Sequence, residues 1–293
     1  MIKLAVCERQ GCRQAMEDRH LVVADLLADG SGRPLQLFAV FDGHGGSRSA
    51  DLLQQHFETV LRQCILAQRD ARRQRQWQMQ DDDNDLDDKD DYSEALTNAF
   101  RICDVLLRQD YEQRMNTPDR YDSGSTATVV LLVGDVVYSA NVGDTEVVVG
   151  GRGAAVGSSI SINVLSTMHK PSFIAERKRV EDAGGFVTLF SGVARVCGIL
   201  AVSRAFGNFN LQAAASQQRV IDAVPSVSSC RLADDQVLII ACDGLWDVYA
   251  YADAVRDALQ QIETGGDPAL YLTEQAIDAR YSRDNVTTIV ISK

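Results

Sequence analysis

Two apolar runs in this chain stop at the same dipeptide. Leu37-Phe38-Ala39-Val40-Phe41 ends in Asp42-Gly43-His44-Gly45-Gly46, and Val237-Leu238-Ile239-Ile240-Ala241-Cys242 ends in Asp243-Gly244-Leu245-Trp246. An apolar run of that length reads as a fully buried strand, and Asp-Gly marks where such a strand leaves the core and turns. Each carboxylate is then fixed at the rim of a rigid sheet with a bare glycine backbone beside it, a placement poor for packing and good for holding a cation. Further acids stand beside expected turns: Glu17-Asp18 ahead of a strand, Asp144 after Gly143, and Asp284-Asn285 just before the last strand. If these carboxylates meet in space they raise one another's pKa unless cations intervene. All-oxygen ligation selects Mg²⁺ or Mn²⁺ over zinc.

The elements that must position these acids are legible in outline. Short strands are expected over Lys3–Cys7 and His20–Asp25. After Gly46 a helix follows, with Ala50, Leu53, Phe57, Val60 and Leu61 at helical spacing, and a second amphipathic helix runs from Ser93 to Asp110. Thr128–Val133 and Val136–Asn141, joined by Gly134-Asp135, read as a hairpin. Gly143-Asp144 turns into a strand over Glu146–Val149. The run Gly150-Gly151-Arg152-Gly153 lacks the Lys and the following helix of a phosphate loop and is expected to be a hairpin turn. Helices over Phe173–Ala183, Val248–Ile262 and Pro268–Tyr281 and a strand over Val286–Ser292 complete the outline. Mid-chain hairpins and an excess of strands over a simple βαβ alternation point to layered α+β architecture with antiparallel sheets. No repeat or linker divides the 293 residues, so one domain is expected.

Composition narrows the function. A net charge of −12 argues against nucleic acid or an anionic membrane as partner. Much of that charge is local: the run Asp81–Asp91 holds eight Asp and one Lys, following Arg69, Arg72, Arg73 and Arg75. The segment 67–92 is expected to be a solvated surface loop inserted between two helices. The seven cysteines form no C-x-x-C pair and several lie in apolar runs, which suits a reducing compartment and no disulfide or zinc framework. Glu8 and Arg9 come too early for a signal peptide, and no apolar stretch is long enough to span a bilayer. A cytoplasmic protein, with the nucleus also open to it, is expected.

Arg13-x-x-Met16-Glu17-Asp18, Phe41-Asp42-Gly43-His44-Gly45-Gly46, Ser123-Gly124-Ser125-Thr126-Ala127, Ala140-Asn141-x-Gly143-Asp144, His169-Lys170-Pro171, Leu200-Ala201-Val202-Ser203-Arg204-Ala205-Phe206-Gly207, Asp243-Gly244-Leu245-Trp246-Asp247 and Asp284-Asn285 occur in this order. The series resembles that of the type 2C metal-dependent serine/threonine protein phosphatases and covers residues 13 to 285. The resemblance implies a four-layer αββα sandwich, two central and mostly antiparallel sheets flanked by helices, with two Mg²⁺ or Mn²⁺ ions at one edge. It implies that Asp42 bridges the ions, that the Gly43 carbonyl binds one, that Asp243 and Asp284 complete the other shell, and that Glu17 and Asp18 act mostly through metal-bound waters. Asp144, with Asp243, matches a third and weaker site. By the same resemblance Arg13 grips the phosphate, a bridging hydroxide attacks phosphorus in line, and His44 protonates the leaving serine or threonine oxygen. His20, His56 and His169 are expected to be structural.

The implied partners are phosphoprotein substrates, met by a monomer without nucleic acid or membrane. Two other readings stand beside the phosphatase: a catalytically silent adaptor and a small-molecule metal phosphohydrolase. Retention of Asp42, Asp243 and Asp284 speaks against the first, and the lack of a nucleotide-binding glycine loop against the second. Met168, Asn208 and Glu146 depart from the family pattern, where an acid, Asp and Arg are usual. They lie in or near the flap region, about 167–208, and bear on substrate preference and the third metal site.

Overall fold

The computed structural model describes residues 2–27, 34–78, 91–118, 120–153, 159–213 and 219–293. In chain order the first half comprises β1 (Lys3–Arg9), β2 (Arg19–Val23), β3 (Leu35–Phe41), β4 (Gly43–His44), α1 (Arg48–Gln78), α2 (Ser93–Arg114), β5 (Gly124–Ser125), β6 (Ala127–Val133) and β7 (Val136–Val142). The middle holds β8 (Glu146–Arg152), β9 (Ile160–Val164), α3 (Ile174–Asp182), β10 (Val187–Phe190), β11 (Val193–Val196) and β12 (Phe206–Gly207). The remainder is β13 (Ser226–Arg231), β14 (Gln236–Ala241), α4 (Asp243–Trp246), α5 (Tyr251–Thr264), α6 (Pro268–Glu274) with a π turn over Gln275–Ala279, and β15 (Val286–Ser292).

Two five-stranded sheets, β1-β15-β14-β8-β9 and β13-β7-β6-β3-β2, lie face to face, and the named strands pair antiparallel throughout. The apolar runs of the sequence find their reason in this stacking. In β3, Leu37, Ala39 and Phe41 pack toward α1 and α2, while Phe38 and Val40 pack toward the other sheet. In β14, Val237, Ile239 and Ala241 meet α5 and α6, while Leu238 and Ile240 meet the sheet that contains β3. Both faces are buried, so alternation disappears and the strand reads as continuously apolar. The result is four layers, α/β/β/α, as expected of an α+β sandwich.

Three expectations change. The segment 67–92 is not loop from its start: α1 continues to Gln78, because Ala, Arg and Gln are strong helix formers, and Gln68 and Arg72 donate to the Asp91 carbonyl at 2.8 and 3.0 Å. The rest of that segment, residues 79–90, lies outside the described residues. Gly150-Gly151-Arg152 is strand, not turn; a Cβ on Gly150 would crowd the Val255 side chain, so glycine here serves the close approach of α5. Helix α5 begins at Tyr251, three residues after the expected start. Strands β9 and β13 and the β10–β11 hairpin were not anticipated; the first two are edge strands with mixed polar sequence.

Candidate metal centre

Asp42 lies between β3 and β4, and Asp243 follows β14 as the first residue of α4, so both sit where the central strands end. The glycine after each acid is required for room. Neither Gly43 nor Gly244 has positive φ. A Cβ on Gly43 would run into the Glu17 carbonyl, and one on Gly244 into the Asn285 carbonyl. Each Asp-Gly corner therefore admits the backbone of a second acidic segment, Glu17-Asp18 at one and Asp284-Asn285 at the other. Asn285 joins those segments. Its Oδ1 accepts from the Glu17 N–H at 2.8 Å, and its Nδ2 donates to the Gln10 and Ala15 carbonyls at 2.8 and 3.0 Å.

Carboxylate oxygens of Asp42, Asp144 and Asp243 all lie within 4.8 Å of one another. Asp144 arrives from the β7–β8 turn. Gly143 donates to His169 Nδ1 at 3.1 Å, and the His169 N–H donates back to the Gly143 carbonyl at 2.8 Å, which makes His169 structural as expected. A cleft of about 730 Å³ opens over the three acids and is also lined by Arg13, Glu17, Gly43, His44 and Asp284. Asp18 is buried and accepts from Thr287 Oγ1 at 2.8 Å. Burial pushes its pKa up to about 6 against that hydrogen bond.

Crowding makes this set costly on its own. Burial, then the charges of Asp243, Asp18, Asp144 and Asp284, push the Asp42 pKa well up. Burial and the charges of Asp144, Asp247 and Asp284 do the same to Asp243, with Lys170 opposing. Lys170 contacts Asp144 directly and offsets part of the repulsion. The available donors are hard oxygens. Of the thiols near them, Cys242 is buried, its pKa is raised well above that of a free thiol by burial, and it accepts from the Thr287 N–H, while Cys12 at the cleft wall donates to the Arg283 carbonyl. Three converging carboxylates, with the pKa of Asp42 and Asp243 raised, fit a hard divalent cation.

Arg13 is paired with Asp284 at the cleft wall. His44 Nε2 lies 2.8 Å from Asn208 Oδ1, and burial lowers its pKa against the pull of Asn208 and the nearby acids. Gly124 leaves the space for this contact, since a Cβ there would meet both side chains. Sequence reasoning left two participants unassigned. Lys170 stands in the His-Lys-Pro motif, to which no role attached, and Asn208 appeared only as a departure. The Glu146 departure is buried, which raises its pKa, and the Tyr251 hydroxyl offsets part of that cost by donating to Glu146 Oε1 at 2.7 Å.

A four-layer sandwich with carboxylates gathered where its central strands end defines a class of layered α+β proteins with a rim able to hold cations. The family pattern of protein phosphatase 2C matches residues 2–286, and the chain belongs to that family. It is 36% identical over 284 residues to a rice protein named probable protein phosphatase 2C 7, covering 96% of this chain and 63% of the relative. It is 34% identical over 288 residues to probable protein phosphatase 2C 76 of Arabidopsis thaliana, covering 97% of this chain and 57% of the relative. The chain thus spans somewhat over half the length of these curated relatives. In fold it is similar to the crystal structure of a serine-threonine phosphatase 2C from Toxoplasma gondii, with a TM-score of 0.80, 22% identity, and coverage of 99% of this chain and 94% of the other.

Proposed function

We propose that the chain is a Mg²⁺/Mn²⁺-dependent protein serine/threonine phosphatase, one domain over residues 1–293, acting on phosphoserine and phosphothreonine in proteins. The observation that carries this is the convergence of Asp42, Asp144 and Asp243 within 4.8 Å at the floor of a cleft that also holds Arg13 and His44. Asp42, the Gly43 carbonyl, Asp243 and Asp284 would hold two ions, with Glu17 and Asp18 behind them and Asp144 with Asp243 at a third, weaker site. When bound, such ions supply an activated water and positive charge against the phosphoryl oxygens.

The chain's own residues do the rest. Arg13, released from or shared with Asp284, presents a guanidinium fork to the phosphate and orients it. His44, held by Asn208, delivers a proton to the leaving serine or threonine oxygen. The net charge of −12 disfavours anionic polymers as partners, and no helix among the described residues is long and apolar enough to cross a membrane. Phosphoproteins are therefore the expected partners of a monomer working in the cytoplasm or nucleus.

The test is release of phosphate from a phosphothreonine peptide by metal-stripped protein, with and without Mn²⁺, beside Asp243→Ala. Turnover that needs the metal and disappears in the variant is the expected result. A folded wild-type protein with no turnover at any Mn²⁺ or Mg²⁺ level would favour the adaptor reading.

A further inference from the structure

The β10–β11 hairpin carries an apolar surface that nothing in the described chain covers. Phe190 is 64% exposed, Val193 45% and Ile199 62%. The hairpin closes tightly: Ser191 and Gly192, at φ 50° and 83°, make a two-residue turn of the kind that matches strand twist. Its register pairs Thr188 with Arg195 and Phe190 with Val193, and directly opposed residues share a face. The other face is anchored at its base, with Val196 fully buried and Val187 packed against the cluster of Val180, Val202 and Ile221, while Leu189 beside the turn stays exposed.

The outward face leads into the cleft. Arg195 and Leu200 line the same cavity as Asp42, Asp144 and Asp243. Arg195 Nη1 donates to the Ile199 carbonyl at 2.6 Å, which sets Ile199 beside the guanidinium, and among the described residues no carboxylate pairs with Arg195. A strip therefore runs from the cleft wall at Leu200, past Arg195 and Ile199, to Val193 and Phe190. It begins with a cation that has no carboxylate partner among the described residues and ends in apolar side chains.

We propose that this strip is the docking surface for the substrate segment adjoining the phosphorylated residue, and that it selects a large apolar side chain there. The inference rests on the phosphatase reading and deepens it. Two properties name the occupant: the strip is continuous with the cleft that takes the phosphate, and its cation suits an anionic phosphopeptide. Successive residues on one face of a strand stand about 7 Å apart, and an extended peptide advances about 3.3 Å per residue. The apolar side chain thus belongs roughly two to four residues from the phosphorylated one.

The experiment compares phosphothreonine peptides identical except for Leu or Ala at three residues on either side of the phosphothreonine. Wild-type protein is expected to favour the Leu peptide about tenfold in kcat/KM, mainly through KM, as partial burial of one apolar side chain would give. In the double variant Phe190→Ser/Val193→Ser the ratio should fall to about one. In Val105→Ser, at an exposed position on α2, the tenfold ratio should persist. A wild-type ratio near one, or a ratio that survives in the double variant, overturns the proposal. So does concentration-dependent dimerisation in sedimentation that the double variant abolishes, since a second copy would then cover the strip. Hydrolysis of p-nitrophenyl phosphate by wild-type protein separates the failures: activity without discrimination sinks the docking surface alone, and no activity on any substrate sinks the phosphatase reading with it.

Discussion

The carboxylate rim and the segment from Thr167 to Pro225 are held by opposite means. At the rim, Asp42 and Asp243 stand at the ends of β3 and β14, whose buried residues are apolar, and backbone meets backbone at the two glycine corners. The neighbouring segment has a small apolar cluster of its own and centres on an ionic hub. Glu176, buried, accepts from Arg204 Nη2 at 2.6 Å and Arg179 Nε at 3.2 Å, and its Oε2 lies 2.7 Å from Ser203 Oγ. Arg179 continues to Asp222 at 2.9 Å, and the Ser203 N–H donates to the His169 carbonyl. Packed sheets position the rim carboxylates with little tolerance for change. The hub makes the adjoining segment depend on one carboxylate, so the two regions should fail separately.

The largest effect is expected at the rim. Gly244→Ala drives a methyl into the Asn285 carbonyl, which cannot swing aside as a side chain can, and forces Asp243 and Asp284 apart. A displacement of about 1 Å in a catalytic constellation costs about a hundredfold. Phosphate release should fall by at least that much while circular dichroism remains close to wild type. A variant with more than half the wild-type rate would show that the corner yields.

Next comes the hub. Glu176→Gln leaves two arginines facing a neutral amide, and breaking a buried pair this way costs about 3 kcal/mol. The loss should be local: hydrogen exchange should quicken over Ile174–Asp182 and β10–β11 while β3 and β14 keep their protection. Burial alone would raise the Glu176 pKa, but bonds from Arg204 and Ser203 and the charges of Arg204 and Arg179 outweigh it and hold it at about 2. With the folded pKa below the ordinary 4.5, the stabilisation is fully present above that value and is lost as pH falls toward 2. The gap in protection between wild type and variant should therefore close between about pH 4.5 and pH 2. Equal exchange at pH 7 would deny the hub its role.

A smaller effect of opposite sign tests the crowding. Asp42→Asn removes a carboxylate whose pKa burial and four neighbouring acids push up, so in metal-free protein it should raise Tm by a few degrees at neutral pH. The sign follows from linkage: a carboxylate with a raised folded pKa costs stability above its unfolded value, and the cost vanishes in acid. The same variant should lose the gain in Tm that Mn²⁺ gives wild type. A lower Tm without metal would mean that the contacts Asp42 makes outweigh the repulsion it suffers.

The contrast also sorts what was legible in the sequence. Asp42 and Asp243 stood out because strands buried on both faces leave a long apolar run, and a charge at its end has little other reason to be there. Their glycines were visible, but as turn residues; that they make room for Glu17 and Asn285 is a tertiary fact. Strand β13 was not legible, since Ser226-Val227-Ser228-Ser229-Cys230-Arg231 lies at a sheet edge and needs no apolar face. The hub was equally hidden: Glu176, Arg179 and Arg204 look like solvated charges until Ser203 and Asp222 arrive from elsewhere. The helical start of 67–92 is hidden because Arg69, Arg72, Arg73 and Arg75 read as a solvated charge block although arginine, alanine and glutamine are strong helix formers.

The smallest effect sharpens the comparison at a single residue type. Gly192 in the hairpin turn sits at φ 83°, and a Cβ there meets nothing within 4 Å. It is needed for conformation and not for room, the reverse of Gly244. Gly192→Ala should therefore cost only about 1 kcal/mol, the penalty of a left-handed conformation for an L side chain. Gly192→Asn should recover most of that, because asparagine tolerates the same φ. Exchange rates of the β10–β11 amides in the two variants give the measurement. If Asn and Ala prove equally disruptive, the constraint at the turn is steric after all, and the hairpin resembles the rim more closely than its exposure indicates.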